Sequence, residues 1–470
     1  MTRKILLSSF ILIFLGGLSS CLTYYQLNLQ FERAFEQGRI EEADRLLSSN
    51  KKMKRKRELV LYNLNKGTTL SLLGNYDSSN VYFENAYRMA DEYHINYGNE
   101  ALALLTNPNM TEYRLENNEV LMNLYYKALN YLKLGDKEAA LVECKRLNIK
   151  INQLSDKYKS DKKFKRDAFI HLLMGLIYDA NYDYNNAFIA YRNAYEIYSD
   201  DYAKLFGMAA PDQLKQDLIR TAYQTGFKQD AQRYEKQFGI KYKPLPKGTG
   251  DVIFLWHNGL GPIKSEWSIN FNIVRGQGGQ VFFANEQMGF SFPFFLEEQD
   301  KDKSNGLAAM EFIRVAFPKY VERPLVFGQA SLSANNQTFN LQLLEDVNAV
   351  SLRCLQDRML FEMGKSLLRM GLKKLSEYQL RKKNDGVGAA IGAFNALTEK
   401  ADTRNWQTVP HSIYYARVTL PKGPQKVTFS AQSRRGGQPF THEFNFNVPD
   451  NGMIFHTHQN LDFVPVNLYR

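Results

Sequence analysis

The chain has 470 residues, 44% hydrophobic and 23% charged, with a formal charge of +11 and three cysteines. That length and composition allow two or three domains, each with its own core, and exclude both a disordered polymer and a small disulfide-stapled scaffold. The chain opens on a basic tip, Arg3-Lys4, then an apolar run from Ile5 to Leu18, then Ser19-Ser20 before Cys21. A basic tip, a short apolar stretch and small residues before a cut form a secretory leader. The run is shorter than the roughly 20 residues that span a bilayer, which weighs against an uncleaved anchor.

Leu18-Ser19-Ser20-Cys21 resembles a bacterial lipobox. The resemblance implies that residues 1–20 are removed and that Cys21 carries the lipid that holds the mature chain to a membrane. Leu22 stands where inner-membrane lipoproteins often carry Asp, and Leu22-Thr23-Tyr24-Tyr25 has no acidic surface-export cluster. The expected location is therefore the outer membrane of a bacterial envelope, facing the periplasm. That address argues against nucleic acid as a partner despite the positive charge. Another envelope protein, anionic glycan or lipid headgroups fit it better. Lys51-Lys52-Met53-Lys54-Arg55-Lys56-Arg57 is the densest basic run, and it reads as a solvated loop between helices rather than a headgroup patch.

Residues 21–240 show helix-period apolar spacing. Leu72-Leu73-Gly74-Asn75-Tyr76 is followed by Phe83 and Ala86; Leu134-Gly135-Asp136 is followed by Ala140. Gly175, Tyr178, Tyr184, Ala187, Tyr191 and Ala194 form the clearest copy, Gly226, Ala231 and Tyr234 a weaker one, and Phe31 to Gly38 with Ala43 a degenerate first one. These spacings resemble the tetratricopeptide (TPR) repeat, a helix pair of about 34 residues. Small residues at Gly175 and Ala187 would let helices approach, and Tyr178 and Tyr191 would fill the groove. One pair cannot bury its apolar face alone, so neighbours stack. The copies are unevenly spaced, with extra residues such as Asn96 to Asn118, so a bent solenoid is expected. The tyrosines of Tyr178 to Tyr184 read as packing rather than as a binding face.

Residues 241–250 hold two prolines and two glycines and read as a linker. Residues 251–470 then read as a β-rich domain with a helical insertion at about 345–400, which makes the whole chain α+β. Val252-Ile253-Phe254-Leu255-Trp256 is a buried-strand pattern. Further strands are expected at Gln280–Ala284, Phe312–Phe317, Thr338–Leu343, Ser412–Leu420, Gln425–Ser430 and Glu443–Val448, arranged as a sandwich. Val350 to Leu380 has helical spacing, and Gly386 to Phe394 reads as a tightly packed small-residue helix. Cys144 and Cys354 are expected to be free buried thiols.

Three strings occur together in this half: Trp256-His257-Asn258-Gly259-Leu260-Gly261-Pro262-Ile263-Lys264, Val315-Ala316-Phe317-Pro318-Lys319-Tyr320 and Glu399-Lys400-Ala401-Asp402-Thr403-Arg404-Asn405-Trp406. With the repeats they resemble a family of bacterial lipoproteins with tetratricopeptide-like repeats. The resemblance implies architecture and compartment, and no reaction.

His257 and Asp402 are the base-and-orienter pair these strings offer, with Lys264 or Arg404 for an anion and Ser412 as a nucleophile. A triad is defined by geometry, and no nucleophile-elbow glycines surround a serine. The structural reading is preferred: turns after a buried strand, and an Asp402–Arg404 pair fixing a junction beside Trp406. His456 and His458 share a strand face and are the candidate zinc ligands, with His442 nearby, but a site needs three or four ligands. Gly276-Gln277-Gly278-Gly279 lacks the Lys-Ser/Thr and helix of a phosphate loop. No cofactor is implied. The sequence thus points to a scaffold or assembly factor at the membrane. A glycan-directed enzyme or carbohydrate-binding module is the alternative.

Overall fold

The computed structural model describes residues 24–91, 111–157, 166–275, 281–294, 312–383 and 400–465. The leader, Cys21, residues 96–110 and the stretch Gly386 to Phe394 lie outside the described residues. Among those described, the first half holds five helix pairs: α1 (Tyr24–Glu36) with α2 (Ile40–Ser49), α3 (Leu59–Leu72) with α4 (Tyr76–Asp91), α5 (Asn117–Lys133) with α6 (Lys137–Lys157), α7 (Ala168–Ala180) with α8 (Tyr184–Ile197), and α9 (Asp212–Gln224) with α10 (Lys228–Phe238); α8 runs on through a π turn (Tyr198–Tyr202) and one further helical turn (Ala203–Phe206).

One turn geometry joins each pair. The backbone is left-handed at Gly38, Gly74, Gly135, Tyr182 and Gly226. Four are glycine, which pays no Cβ penalty there. Tyr182 takes the strained conformation at φ +60°, and its hydroxyl donates to Asn451 O at 2.9 Å in the β half. Five residues beyond each turn stands a small, fully buried residue: Ala43, Ser79, Ala140, Ala187 and Ala231. Within two pairs a first-helix glycine meets a second-helix ring. A Cβ at Gly67 would lie 2.7 Å from Phe83, and one at Gly175 would lie 2.4 Å from Tyr191. Helix starts are capped locally: Asp167 and Asp183 accept from Ile170 N and Asn186 N, and Glu116 and Glu119 form a capping box at α5.

The basic run between α2 and α3 is only partly solvated. Lys51, Lys52, Lys54, Arg55 and Lys56 are exposed, but Met53 is fully buried and Arg57 O accepts from Tyr113 N.

The second half begins with β1 (Thr249–Asn258), β2 (Ile263–Arg275), β3 (Val281–Asn285), β4 (Phe290–Phe294) and β5 (Phe312–Val321). It continues with β6 (Phe327–Ala334), β7 (Gln337–Asn340), β8 (Gln342–Asp346) and the helix α11 (Val347–Lys383). β9 (Ser412–Pro421), β10 (Gly423–Ser433), β11 (Phe440–Val448) and β12 (Met453–Asn460) follow. Three sheets result, in the orders β12-β1-β9-β8, β11-β10-β6-β7 and β4-β3-β2-β5.

The first two sheets form a sandwich. Val252, Phe254 and Trp256 of β1 pack on Leu332, Val427 and Phe429. The alternate residues Ile253 and Leu255, with Ile413 and Tyr415 of β9, face the other way and join the core of the helical half. β1 is thus buried on both faces, which is why its sequence is an unbroken apolar run. The third sheet has a separate core, in which Phe271, Phe283, Val315 and Phe317 pack on Met363, Leu367 and Met370 of α11.

The β half holds more than the sequence led one to expect. The segment after Gly261-Pro262 is the 13-residue strand β2, and β4, β6 and β12 are also strands. Thr338–Leu343 is two strands, β7 and β8, broken at Leu341, and β6 turns into β7 through the left-handed pair Asn335-Asn336.

Gly175→Ala should cost about 1–3 kcal/mol, the usual cost of forcing an extra methyl into a packed core. The urea midpoint measures it; a shift equivalent to less than about 0.5 kcal/mol would contradict the close approach of α7 and α8.

Candidate functional site

The polar residues that sequence reasoning marked do not gather in a cleft. His257, Lys264, Asp402 and Arg404 lie instead along the contact between the repeats and the sheets. The first helix of each pair supplies most of the helical side, which explains why α3, α5 and α7 are buried nearly all round.

At one end, Asp179 of α7 and Asp217 and Arg220 of α9 meet Arg417 of β9 and Asp251 of β1. Arg417 Nη2 donates to Asp179 Oδ2 at 2.7 Å, while its Nη1 lies 3.0 Å from Asp217 and 3.5 Å from Asp251. Arg220 donates to Asp179 at 3.0 Å and to Asp217 at 3.2 Å, and Tyr191 Oη donates to Asp179 at 3.1 Å. Burial alone would raise the Asp179 carboxyl, but Arg417 and Arg220 hold it down at about 2. Burial prevails at Asp217, which is raised.

In the middle, Trp406 sits between Phe83 and Tyr126 at centroid distances of 5.9 and 5.7 Å. Its indole N–H donates to Thr408 Oγ1 at 2.8 Å, and its backbone N–H donates to Glu119 at 2.8 Å. Arg404 is clamped by Asp402 and donates to the carbonyls of Arg57 and Thr111, each at 2.9 Å, over the ring of Tyr113. Lys264 Nζ donates to Glu116 at 2.8 Å, and Arg358 of α11 pairs with the same carboxylate. Burial works against Glu116, yet these two cations keep its carboxyl below the usual range. Glu119 is raised by burial and by Glu116 beside it. Arg323, fully buried, donates to Gly261 O at 2.6 Å and to Glu36 of α1 at 3.2 Å.

His257 is 1% exposed, and its Nε2 lies 2.6 Å from Tyr125 Oη. Burial, then the charge of Lys133, pushes its pKa down to about 3, so the imidazole is neutral. Asp402 pairs with Arg404 rather than with a histidine. Ser412 is buried at the start of β9 opposite Asn258. His257, Asp402 and Arg404 are thus parts of a packed junction.

His456 and His458 stand among aromatics. The His456 ring lies 4.6 Å from Phe444, and that of His458 lies 5.0 Å from Phe429 and 5.9 Å from His442. Burial lowers both to about 4. Among the described residues no group of three or more potential ligands is placed to hold a metal. Cys144 and Cys354 are free thiols pushed up by burial.

Among the described residues, two cavities open beside the junction. One, of about 380 Å³, lies between the α5–α6 turn and β12. The other, of about 660 Å³, lies between α9, the segment 240–246, β7 and β9, with Arg220 and Arg417 in its wall. His257, Lys264, Asp402, Arg404 and Ser412 line neither.

Sequence reasoning missed the charges that do most here: Glu116, Asp179, Asp217, Arg220, Arg323 and Arg417. The available signal was periodic. Arg417 follows Ile413 and Tyr415 on the inward face of β9, where a charge demands a partner.

No protein-family model and no curated protein matches the chain. Among solved structures, MamA from residue 41 to its end, of Desulfovibrio magneticus RS-1, aligns at TM-score 0.29 and 17% identity, covering 44% of this chain and 87% of that one. The apo form of RapI aligns at 0.33 and 15%, covering 49% and 57%. A putative kinesin light chain of Podosopora anserina with nearly identical TPR-like repeats aligns at 0.31 and 14%, covering 45% and 90%. At these TM-scores the likenesses carry no argument about function, and the repeat assignment rests on this chain's own helix pairs.

Trp406→Ala should cost about 3–5 kcal/mol. Limited proteolysis should then cut within 241–248, before β1 begins, as the halves loosen; an unchanged cleavage pattern would mean that Trp406 does not hold them. A second test uses pH. Glu32 of α1, close to Arg323, is raised by burial to about 8. A carboxyl raised in the folded state contributes stability that is full below about pH 4.5 and is lost as pH rises toward 8. Glu32→Gln should therefore stabilise the protein at pH 8 relative to wild type more than at pH 5, read from urea midpoints at both values. An equal effect at both would contradict the raised carboxyl.

Proposed function

We propose that the protein is a lipid-anchored scaffold of the bacterial envelope, held through Cys21 and acting by protein–protein contact. The observation that carries this reading is the use the repeats make of their first-helix layer. That layer binds a folded protein domain, the chain's own β half, through Trp406, Arg404, Lys264 and Arg417. The surface that repeats of this kind commonly offer to a partner is thus already filled. A further protein would meet the second helices, where Val81 on α4 and Val142 and Ile149 on α6 are more than half exposed. Those two helices are tied together by Arg146 of α6, which donates to Glu84 of α4 at 2.7 Å. The anchor itself is supported by the lipobox-like string Leu18 to Cys21, and an outer-membrane position facing the periplasm by the residues after it. No helix among the described residues is long and apolar enough to cross a membrane.

A catalytic role for His257 and Asp402 has less support, because neither lines either cavity described above and Asp402 pairs with Arg404.

The test is affinity capture of the tagged full chain from detergent-solubilised membranes. Wild type should recover a stoichiometric protein partner that Val142→Asp/Ile149→Asp loses, and Cys21→Ser should leave the membrane fraction and fail to take up a labelled fatty acid. Recovery of the chain alone would defeat the scaffold reading; fatty-acid labelling that survives Cys21→Ser would defeat the anchor.

A further inference from the structure

The smaller cavity differs from the rest of the junction because its charge is not answered. Along the contact Arg417, Arg404, Lys264 and Arg323 each meet a carboxylate or carbonyls. Lys133, the last residue of α5, makes no hydrogen bond or ion pair among the described residues. Its ammonium lies 5.1 Å from the centre of the Tyr76 ring. The neighbouring cation, Lys137, already donates to Ala180 O at 2.7 Å. Across the cavity runs β12, which among the described residues is an edge strand paired with β1 alone, leaving one row of backbone donors and acceptors without a strand partner. Thr457 on that strand has a buried hydroxyl with no hydrogen-bond partner. The apolar walls are Leu132, Met453 and Phe455.

An ammonium with a ring but no hydrogen-bond acceptor or counter-charge among the described residues, and a hydroxyl without a hydrogen-bond partner, in a cavity of about 380 Å³ with apolar walls, make an incomplete polar site. The volume falls within the usual range for small-ligand pockets, about 300–1,000 Å³. Even partial burial of a cation such as Lys133 without a counter-charge carries a cost, which a bound anion reduces. Burial depresses the Lys133 amine to about 8, in keeping with the missing counter-charge.

We propose that this cavity binds a small oxyanion, a carboxylate or a phosphoryl group, with Lys133 as counter-charge and Thr457 as hydrogen-bond donor. The walls come from both halves of the chain: Tyr76 and the α5–α6 turn on one side and β12 on the other. The site exists only while the halves are docked. Whatever binds there stabilises the docked form by mass action and makes the anchored scaffold responsive to a small metabolite.

The experiment titrates the purified full chain, in detergent and at constant ionic strength, with inorganic phosphate and separately with succinate, against chloride. The readout is the thermal midpoint. Wild type should rise saturably with at least one probe; a response to succinate alone assigns a carboxylate ligand, a response to phosphate alone a phosphoryl one, and a response to both the shared oxyanion chemistry. Lys133→Met keeps the apolar stem and removes the unpaired charge, so it should fold with a midpoint equal to or above wild type. It should also weaken the apparent affinity at least about tenfold, the loss of one charge-assisted contact. Thr457→Val should weaken it by a smaller factor. The proposal is overturned if neither probe shifts the wild type at millimolar concentrations, or if Lys133→Met responds as wild type does.

Discussion

A guanidinium taken out of water must find carboxylates, and Arg417 finds two of its three on the other half of the chain. It stands on β9 in a core position, where Asp251 of the neighbouring strand and Asp179 and Asp217, presented by α7 and α9, surround it. The same constraint recurs along the contact, with Lys264 on Glu116 and Arg323 on Glu36. Buried ion pairs add little net stability compared with apolar packing, because desolvation offsets most of the attraction. What they supply is register. A shift of the sheets by one residue along the helices would leave several charges buried without partners, at several kcal/mol each. The halves therefore fit in one way, and Trp406 and the rings around it fill the space that the charges define.

That fit changes what the repeats are for. A helix-pair array is usually read as an empty groove awaiting a ligand, yet here the first-helix layer is core. Its side chains belong to the same apolar cluster as Ile253, Leu255, Ile413 and Tyr415 of the sheets. The chain behaves as a repeat protein that has taken its own partner in cis, and it is the second helices that carry the exposed Val81, Val142 and Ile149.

The helical half was legible because its code is local. A left-handed turn residue and a small residue five positions on recur at Gly38/Ala43, Gly135/Ala140 and Gly226/Ala231, and both can be read without knowing what lies across the groove. Tyr182 broke the glycine rule, and its reason lies in a distant contact, the carbonyl of Asn451. The β half was harder to read for the same cause. β2 alternates Trp267, Ile269 and Phe271 with Ser268, Asn270 and Asn272, a strand period, but Gly261-Pro262 just before it drew attention as a turn. The three sequence strings proved to mark real positions with a different meaning. Residues such as His257 and Arg404 stand out in a sequence because polar groups in apolar company are unusual. Chemistry and a buried junction both produce that pattern, and only the contacts of Tyr125 with His257 and of Thr111 with Arg404 tell them apart.

The pairing of β1 with β12 has a consequence for how the molecule comes into being. The two run parallel, side by side, from Asp251 opposite Met453 to Asn258 opposite Asn460, so the first strand of the β half waits for the last. Nearly the whole of that half must leave the synthesis or export machinery before the central sheet can close, and contacts so remote in sequence form slowly. The helix pairs, built from neighbours, have no such delay. They are complete while β1 is still exposed, and their first-helix layer is the surface it can lie against. The repeats thus act on their own chain as a mould, sheltering an apolar strand until its final neighbour arrives.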